Sequence, residues 1–252
     1  FNKFKAKIYC NINMYEYAII LRDCMIIGFN YILLLNILSF NNTFKHFEYS
    51  KQIYIVKNVI KSGVLSYISL MSFYDILPQF YNEFDNEIIK KYASMYVSND
   101  IMALVIVRRL PLTTKIHHSI TSLLLFYTFN IDFNDEKQFG ELLVVYTVLS
   151  SYTFIVNFYL GIRYFKIKVI EDTSSYLYDD TINRYIDIIR NLAYYNYKYI
   201  CILNWSIHII TIVFKLLNNQ IYISYYFYCI LLYFIINDDL ILMDWLCEKT
   251  KD

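Results

Sequence analysis

Seven apolar stretches, each close to the ~20 residues that cross a bilayer as a helix, take up most of this 252-residue chain. They are Tyr17–Phe40, Val59–Phe80, Tyr92–Val107, Ile116–Ile131, Phe139–Tyr159, Tyr199–Leu217 and Ile221–Met243. Little chain is left over for a separate soluble domain. Apolar residues make up 58% and charged residues 18%, against about a quarter charged in soluble domains. Only 4 Gly and 2 Pro occur, too few turn residues for a sandwich or barrel of many short strands. The expected fold is all-α: a polytopic membrane helical bundle with about six to seven transmembrane helices. Arg22 and Asp23 fall near the start of the first stretch, and Asp238 and Asp239 interrupt the last.

Between these stretches polarity returns in short bursts, at 41–58, 82–91, 108–115 and 132–138, and in a longer connection over 163–198. If all seven stretches span, the connections 41–58, 108–115 and 163–198 share one side. They carry Lys45, Lys51, Lys57, Arg108, Arg109, Lys115, Arg163, Lys166 and Lys168. The excess of Lys and Arg makes that side the expected cytoplasmic one. Within the long connection, Ile182, Tyr185, Ile186, Ile189 and Ala193 fall on one helical face and Arg184, Asp187 and Arg190 on the other. That is an amphipathic helix, lying in the headgroup region or capping the bundle. The expected division is an N-terminal segment with the first span (1–57), a membrane domain (58–245) and a short polar tail (246–252).

Several classes of function are excluded or left without support. A formal net charge of +1 gives no electrostatic footprint for nucleic acid. Cys10, Cys24, Cys201, Cys229 and Cys247 are far apart and form no CxxC pair, so they read as free thiols and neither a metal site nor a disulfide framework is expected. No glycine-rich phosphate loop or cofactor motif is present. The 28 Tyr fit a coding sequence rich in A and T and carry no functional weight. A chain that starts on Phe1 is expected to lack its original start.

Ionisable residues inside a span are costly and mark functional sites. Asp100 lies within the third stretch, His117 and His118 open the fourth, Glu141 lies near the start of the fifth and His208 within the sixth. Asp100 is about 10 Å below the Val107 end of its helix, at 1.5 Å per residue. If the third and fourth helices form a hairpin, Asp100 comes within a turn or two of a histidine. Adjacent histidines point about 100° apart on a helix, so only one faces Asp100. A carboxylate that orients an imidazole is the arrangement of a general base or proton donor. The bland alternatives are interfacial anchoring by the histidines and pairing of Asp100 with Arg108 or Arg109 by snorkelling. His208 alone reads as a hydrogen-bonded interior residue.

Taken in order, these residues resemble the TLC-domain family of lipid-related membrane proteins, from Asn58 to about Met243. Lys57-Asn58-Val59 with Ser62 resembles the entry into that domain. Ser98-Asn99-Asp100 stands where the family has an aspartate, and Ile116-His117-His118-Ser119-Ile120-Thr121-Ser122-Leu123-Leu124 resembles its His-His helix. Gly140-Glu141-Leu142-Leu143 with Asn157 and Arg163 resembles the span that follows. No acid precedes His117 and no His-Asp lies in 144–160, unlike the ceramide synthases, so the likeness is closer to the non-synthase members.

The resemblance implies lipid binding or membrane lipid homeostasis, in the endoplasmic reticulum or another internal membrane. Asp100, His117, His118, Thr121, Glu141 and Asn157 are the implied lipid contacts. The alternative activity is a lipid acyltransferase that uses acyl-CoA, with His117, His118 and Asp100 catalytic. A further alternative is a non-catalytic subunit of a membrane assembly with protein partners. No cofactor and no metal are expected.

Overall fold

The computed structural model describes residues 2–108, 110–135, 137–166 and 176–250. Among them every regular element is helical. The long helices are α1 (Asn2–Leu38), α3 (Tyr49–Asp75), α4 (Asn86–Ile106), α5 (Leu112–Thr128), α8 (Tyr176–Leu217) and α9 (Ile223–Lys249). A short α2 (Asn42–Lys45) joins α1 to α3, and α6 (Gly140–Ser151) and α7 (Phe154–Ile162) follow each other across a break. The punctuation follows local chemistry. Asn41 Oδ1 accepts from Phe44 N–H at 2.9 Å and caps α2. Asp85 accepts from the N–H groups of Glu87 and Ile88 and caps α4. Pro111, lacking an N–H, stands at the start of α5. Asn219 takes φ 55° at the α8–α9 turn, a left-handed conformation that asparagine tolerates well.

Three helices are long and apolar enough to cross a membrane: Tyr15–Leu38, Thr181–Leu217 and Ile223–Lys249. The bent α6–α7 pair makes a fourth if it counts as one span. Only 17% of the most apolar window of α1 or of α8 is buried, and 22% of that of α9. Leu21, Phe29 and Ile32 on α1, Ile210 and Phe214 on α8, and Ile230 and Tyr233 on α9 are exposed. A soluble protein does not leave so much large apolar surface in water. The expected six to seven spans exceed this number, because α5 has 17 residues and because α3 and α4 carry charges. Those charges turn inward: Lys57, Lys61 and Asp100 are all buried.

The first apolar stretch tolerates its charges because they are met. Asp23 is buried, bonded by Arg22 at 2.8 Å and by Ser94 Oγ at 2.7 Å. Glu16 pairs with Lys90 at 3.0 Å. The amphipathic segment is not a separate headgroup helix but the first half of α8, continuous with the sixth apolar stretch. Ile186 and Ala193 pack with Val156, Tyr159 and Leu160 of α7 and Leu246 of α9, with Ile182 and Ile189 beside them, whereas Tyr185 faces outward.

The two ends of the bundle differ. At one end the connection after α3 and the one between α5 and α6 are clasped together. Asn86 Nδ2 donates to Asp132 at 2.9 Å, Phe133 N–H to Asn86 Oδ1 at 2.9 Å, and Phe84 N–H to Asn134 Oδ1 at 2.7 Å. At the other end stand the starts of α3 and α5 and the ends of α4 and α7.

The break between α6 and α7 bends the chain by 40°. Ser151 and Thr153 hydroxyls donate to the carbonyls of Val148 and Ser150, at 2.6 and 2.7 Å. Backbone bonds tighten there to three-residue spacing, from Tyr152 to Leu149 and from Val156 to Thr153. Hydroxyl competition of this kind bends helices. After the bend α7 runs tightly against α3: a Cβ on Gly161 would lie 2.8 Å from Val59 Cγ2 and 3.4 Å from the Ile55 carbonyl.

Candidate functional site

A cavity of about 740 Å³ opens between α3, α5, α7, α8 and α9, at the end where α3 and α5 begin. Its rim carries Glu48, Lys51, Arg108 and Thr113. Its wall includes Lys57, Lys61, His117, His118, Asn157, Arg163, Asp238 and Asp239, with Leu65, Val156, Leu160, Ile200 and Leu242 among the apolar lining. The volume falls in the range of small-molecule sites, roughly 300–1,000 Å³.

At the inner wall a polar cluster bridges α3, α4 and α5. Asp100 is fully buried (0% exposed). Its Oδ1 lies 2.5 Å from Lys61 Nζ and 3.1 Å from His118 Nδ1, and its Oδ2 accepts from Thr121 Oγ1 at 2.9 Å. Thr121 also donates to the His118 carbonyl at 3.0 Å; a threonine hydroxyl has one proton, so these two bonds alternate. The α4–α5 hairpin thus gives Asp100 to His118. His117 turns away at right angles, its ring 5.7 Å from that of His118, and its Nδ1 stands 3.3 Å from Asp238 Oδ2 on α9. Neither imidazole–carboxylate approach has hydrogen-bond alignment, and among the described residues both ring nitrogens of His118 lack an aligned partner. Each histidine therefore has its own carboxylate at ion-pair distance while retaining unpartnered ring nitrogen at the cavity.

Among the described residues Asp100 pairs with a lysine and a histidine and with no arginine, which corrects the alternative for Arg108. Arg108 is exposed at the rim, and Arg109, like Lys168, lies outside the described residues. The partner is Lys61, one helix over. Glu141 is exposed in the first turn of α6, on the clasped end, and does not reach the cavity. Asn157 lines the cavity wall from α7, whereas Thr121 is buried behind it. His208 is bonded at both nitrogens, Nδ1 to the Asn204 carbonyl and Nε2 to the Tyr228 hydroxyl, each at 2.8 Å. It belongs to the interior and stands outside the cavity lining. Cys201 is buried and Cys24, Cys229 and Cys247 are partly buried; all four are free thiols.

One atom each from Asp100, His117 and His118 lie within 4.8 Å of one another, a spacing that a metal ion could bridge. The ammonium of Lys61 already stands at Asp100 Oδ1 where such an ion would draw its anionic ligand. With Lys57 on the same wall, an added divalent charge would meet two cations. The arrangement favours the ion pair.

Three residues escaped the sequence reading. Lys61 is a lysine within the second apolar stretch, itself a sufficient signal. Asp238 and Asp239 break the last apolar stretch; Asp238 faces His117, and Asp239 accepts from Tyr197 Oη at 2.8 Å.

Comparison with protein-family models, with characterised proteins and with solved structures gives no match.

Proposed function

We propose that this chain is a TLC-type multi-pass membrane protein of an internal membrane, such as the endoplasmic reticulum, that binds a lipid in the cavity between α3, α5, α7, α8 and α9. One observation carries the reading: a cavity with polar and apolar walls lies inside a bundle whose outer helices expose apolar side chains. An amphipathic ligand matches such a cavity, and the surrounding bilayer supplies one. Six to seven spans follow from the same logic. At 1.5 Å per residue α3 is about 40 Å long and α4 about 31 Å, and their charges face inward, where partners and the cavity meet them. The basic rim faces the cytoplasm.

The test is mass spectrometry of lipids retained by the detergent-purified protein, beside the His117→Ala/His118→Ala double variant. One enriched lipid class, lost in the variant, is the expected result. An unselective lipid background, identical in both proteins, would overturn the reading and move attention to a role as subunit of a membrane assembly.

A second reading rests on the two imidazole–carboxylate pairs. In an acyltransferase, His117 or His118 would remove the proton of an attacking amine or hydroxyl as it bonds to the acyl carbonyl. The thiolate of acyl-CoA would leave and take up that proton. Loss of lipid turnover in either single alanine variant, with the fold and lipid retention intact, distinguishes this reading from binding alone.

A further inference from the structure

Helix α3 presents Lys51, Tyr54, Lys57, Lys61 and Leu65 to the cavity. Steps of three and four residues place all five on one helix face. The three lysines are met differently. Lys61 is paired with Asp100. Lys57 is only 6% exposed, and no carboxylate among the described residues lies within ion-pair distance of it. Its Nζ lies 5.9 Å from the centre of the Tyr54 ring.

Arg163, at the end of α7, converges on the same place. Its guanidinium is 5.5 Å from the Tyr54 ring, 4.8 Å from the Tyr164 ring and 4.6 Å from the Trp245 ring, and it donates to Tyr164 Oη at 2.9 Å. Lys51 Nζ lies 5.0 Å from the Tyr164 ring. The Tyr54 and Tyr164 rings pack edge to face, 6.0 Å apart. Two adjoining rings therefore gather three cations, and no described carboxylate forms an ion pair with any of them. The carboxylates along the cavity lie elsewhere: Asp238 faces His117, Asp239 is held by Tyr197, and Glu48 stands at the rim.

Of the three, Lys57 is buried, Arg163 partly buried and Lys51 exposed. A buried cation without a counter-ion is costly, and aromatic faces offset only part of that cost. An anion shared by all three groups offsets the remainder. An arginine with two lysines suits phosphate, which takes a forked donor and point charges together. Beside them, Val156, Leu160, Ile200 and Leu242 offer an apolar wall.

We infer that Lys51, Lys57 and Arg163 form a subsite for a phosphate ester, the head of an anionic lipid whose acyl chain lies along that apolar wall. The inference rests on the lipid-binding reading above and adds the chemistry of the headgroup.

The test uses the full chain in nanodiscs of phosphatidylcholine, doped in turn with phosphatidate or with diacylglycerol of the same chains; inorganic phosphate in the buffer is a third arm. Retained lipid is read by native mass spectrometry after mild detergent extraction. The wild type is expected to retain phosphatidate over diacylglycerol. Lys57→Met and Arg163→Gln are each expected to lower phosphatidate retention roughly ten-fold, the size of one charge-assisted bond, with diacylglycerol unaffected and Lys57→Arg restoring retention. Lys57→Met also tests folding: removing an uncompensated cation is expected to raise the thermal midpoint of the lipid-free protein. Equal retention of both lipids, unchanged by the variants, would overturn the subsite and leave the lipid-binding cavity standing. No retained lipid of any kind would overturn both. Competition by millimolar inorganic phosphate as strong as by phosphatidate would uphold the anion subsite but assign it to a soluble phosphate ester.

Discussion

Lys61 of α3 and Asp100 of α4 form a buried ion pair, Nζ to Oδ1 at 2.5 Å, beside His118 of α5 at the inner wall of the cavity. Removing one partner leaves the other charge buried and unmatched, which costs about 3–5 kcal/mol. Lys61→Met and Asp100→Asn are each expected to lower the thermal midpoint in detergent markedly. The double variant is expected to recover much of the loss. Additive losses in the double variant would show that the two side chains do not act as a pair.

Gly161 marks a close approach of α7 to α3. Val59 is β-branched and cannot swing its Cγ2 aside freely. Gly161→Ala is expected to destabilise by about 1–3 kcal/mol through overpacking and to displace the Arg163 end of α7. Thermal unfolding together with phosphatidate retention measures both effects; an unchanged midpoint would mean that the two helices separate easily.

His208 and Glu141 serve as controls outside the cavity lining. His208→Phe leaves the Tyr228 hydroxyl without its partner, a loss of about 1–3 kcal/mol, with lipid retention unchanged. Glu141→Gln, on an exposed first turn, is expected to move stability by no more than about 0.5 kcal/mol and to leave retention unchanged. A selective loss of lipid in Glu141→Gln would restore that residue to the site.

The clasp at the opposite end carries a pH dependence of definite sign. The Asn86 amide and the Asn134 backbone N–H hold the Asp132 carboxyl below its ordinary range. Its contribution to stability is thus fully present above the unfolded value near ~3.9 and is lost as pH falls through the lower folded value. In Asp132→Asn the acid limb of the stability profile should flatten. An identical limb in the variant would remove Asp132 from the account.

The sequence made the helices legible because apolar length and scarce Gly and Pro leave few alternatives. Given a hairpin of the third and fourth helices, it also brought Asp100 within a turn or two of a histidine, since helix rise sets their depth. Lys61 stayed hidden because the search for a partner to Asp100 stayed at its own helix end, among Arg108 and Arg109. The true partner sits 39 positions earlier, on a helix whose rotation no local pattern reveals. Asp238 read as an interruption of a span for the same reason: its meaning depends on His117 from α5. The first half of α8 looked like a separate helix because its polarity pattern differs from that of the second half. No Gly or Pro divides them, and the helix runs through.

The bonds that fasten α1 to α4 bear on how the protein is made. Glu16 and Asp23 are costly in hydrocarbon, and their partners Lys90 and Ser94 lie 74 and 71 positions downstream. A first helix that enters the bilayer before α4 would have only Arg22 for Asp23 and would lack Lys90 for Glu16. If α4 also spans, as proposed above, the Lys90 and Ser94 bonds form only when it follows, and the two helices make one unit of insertion.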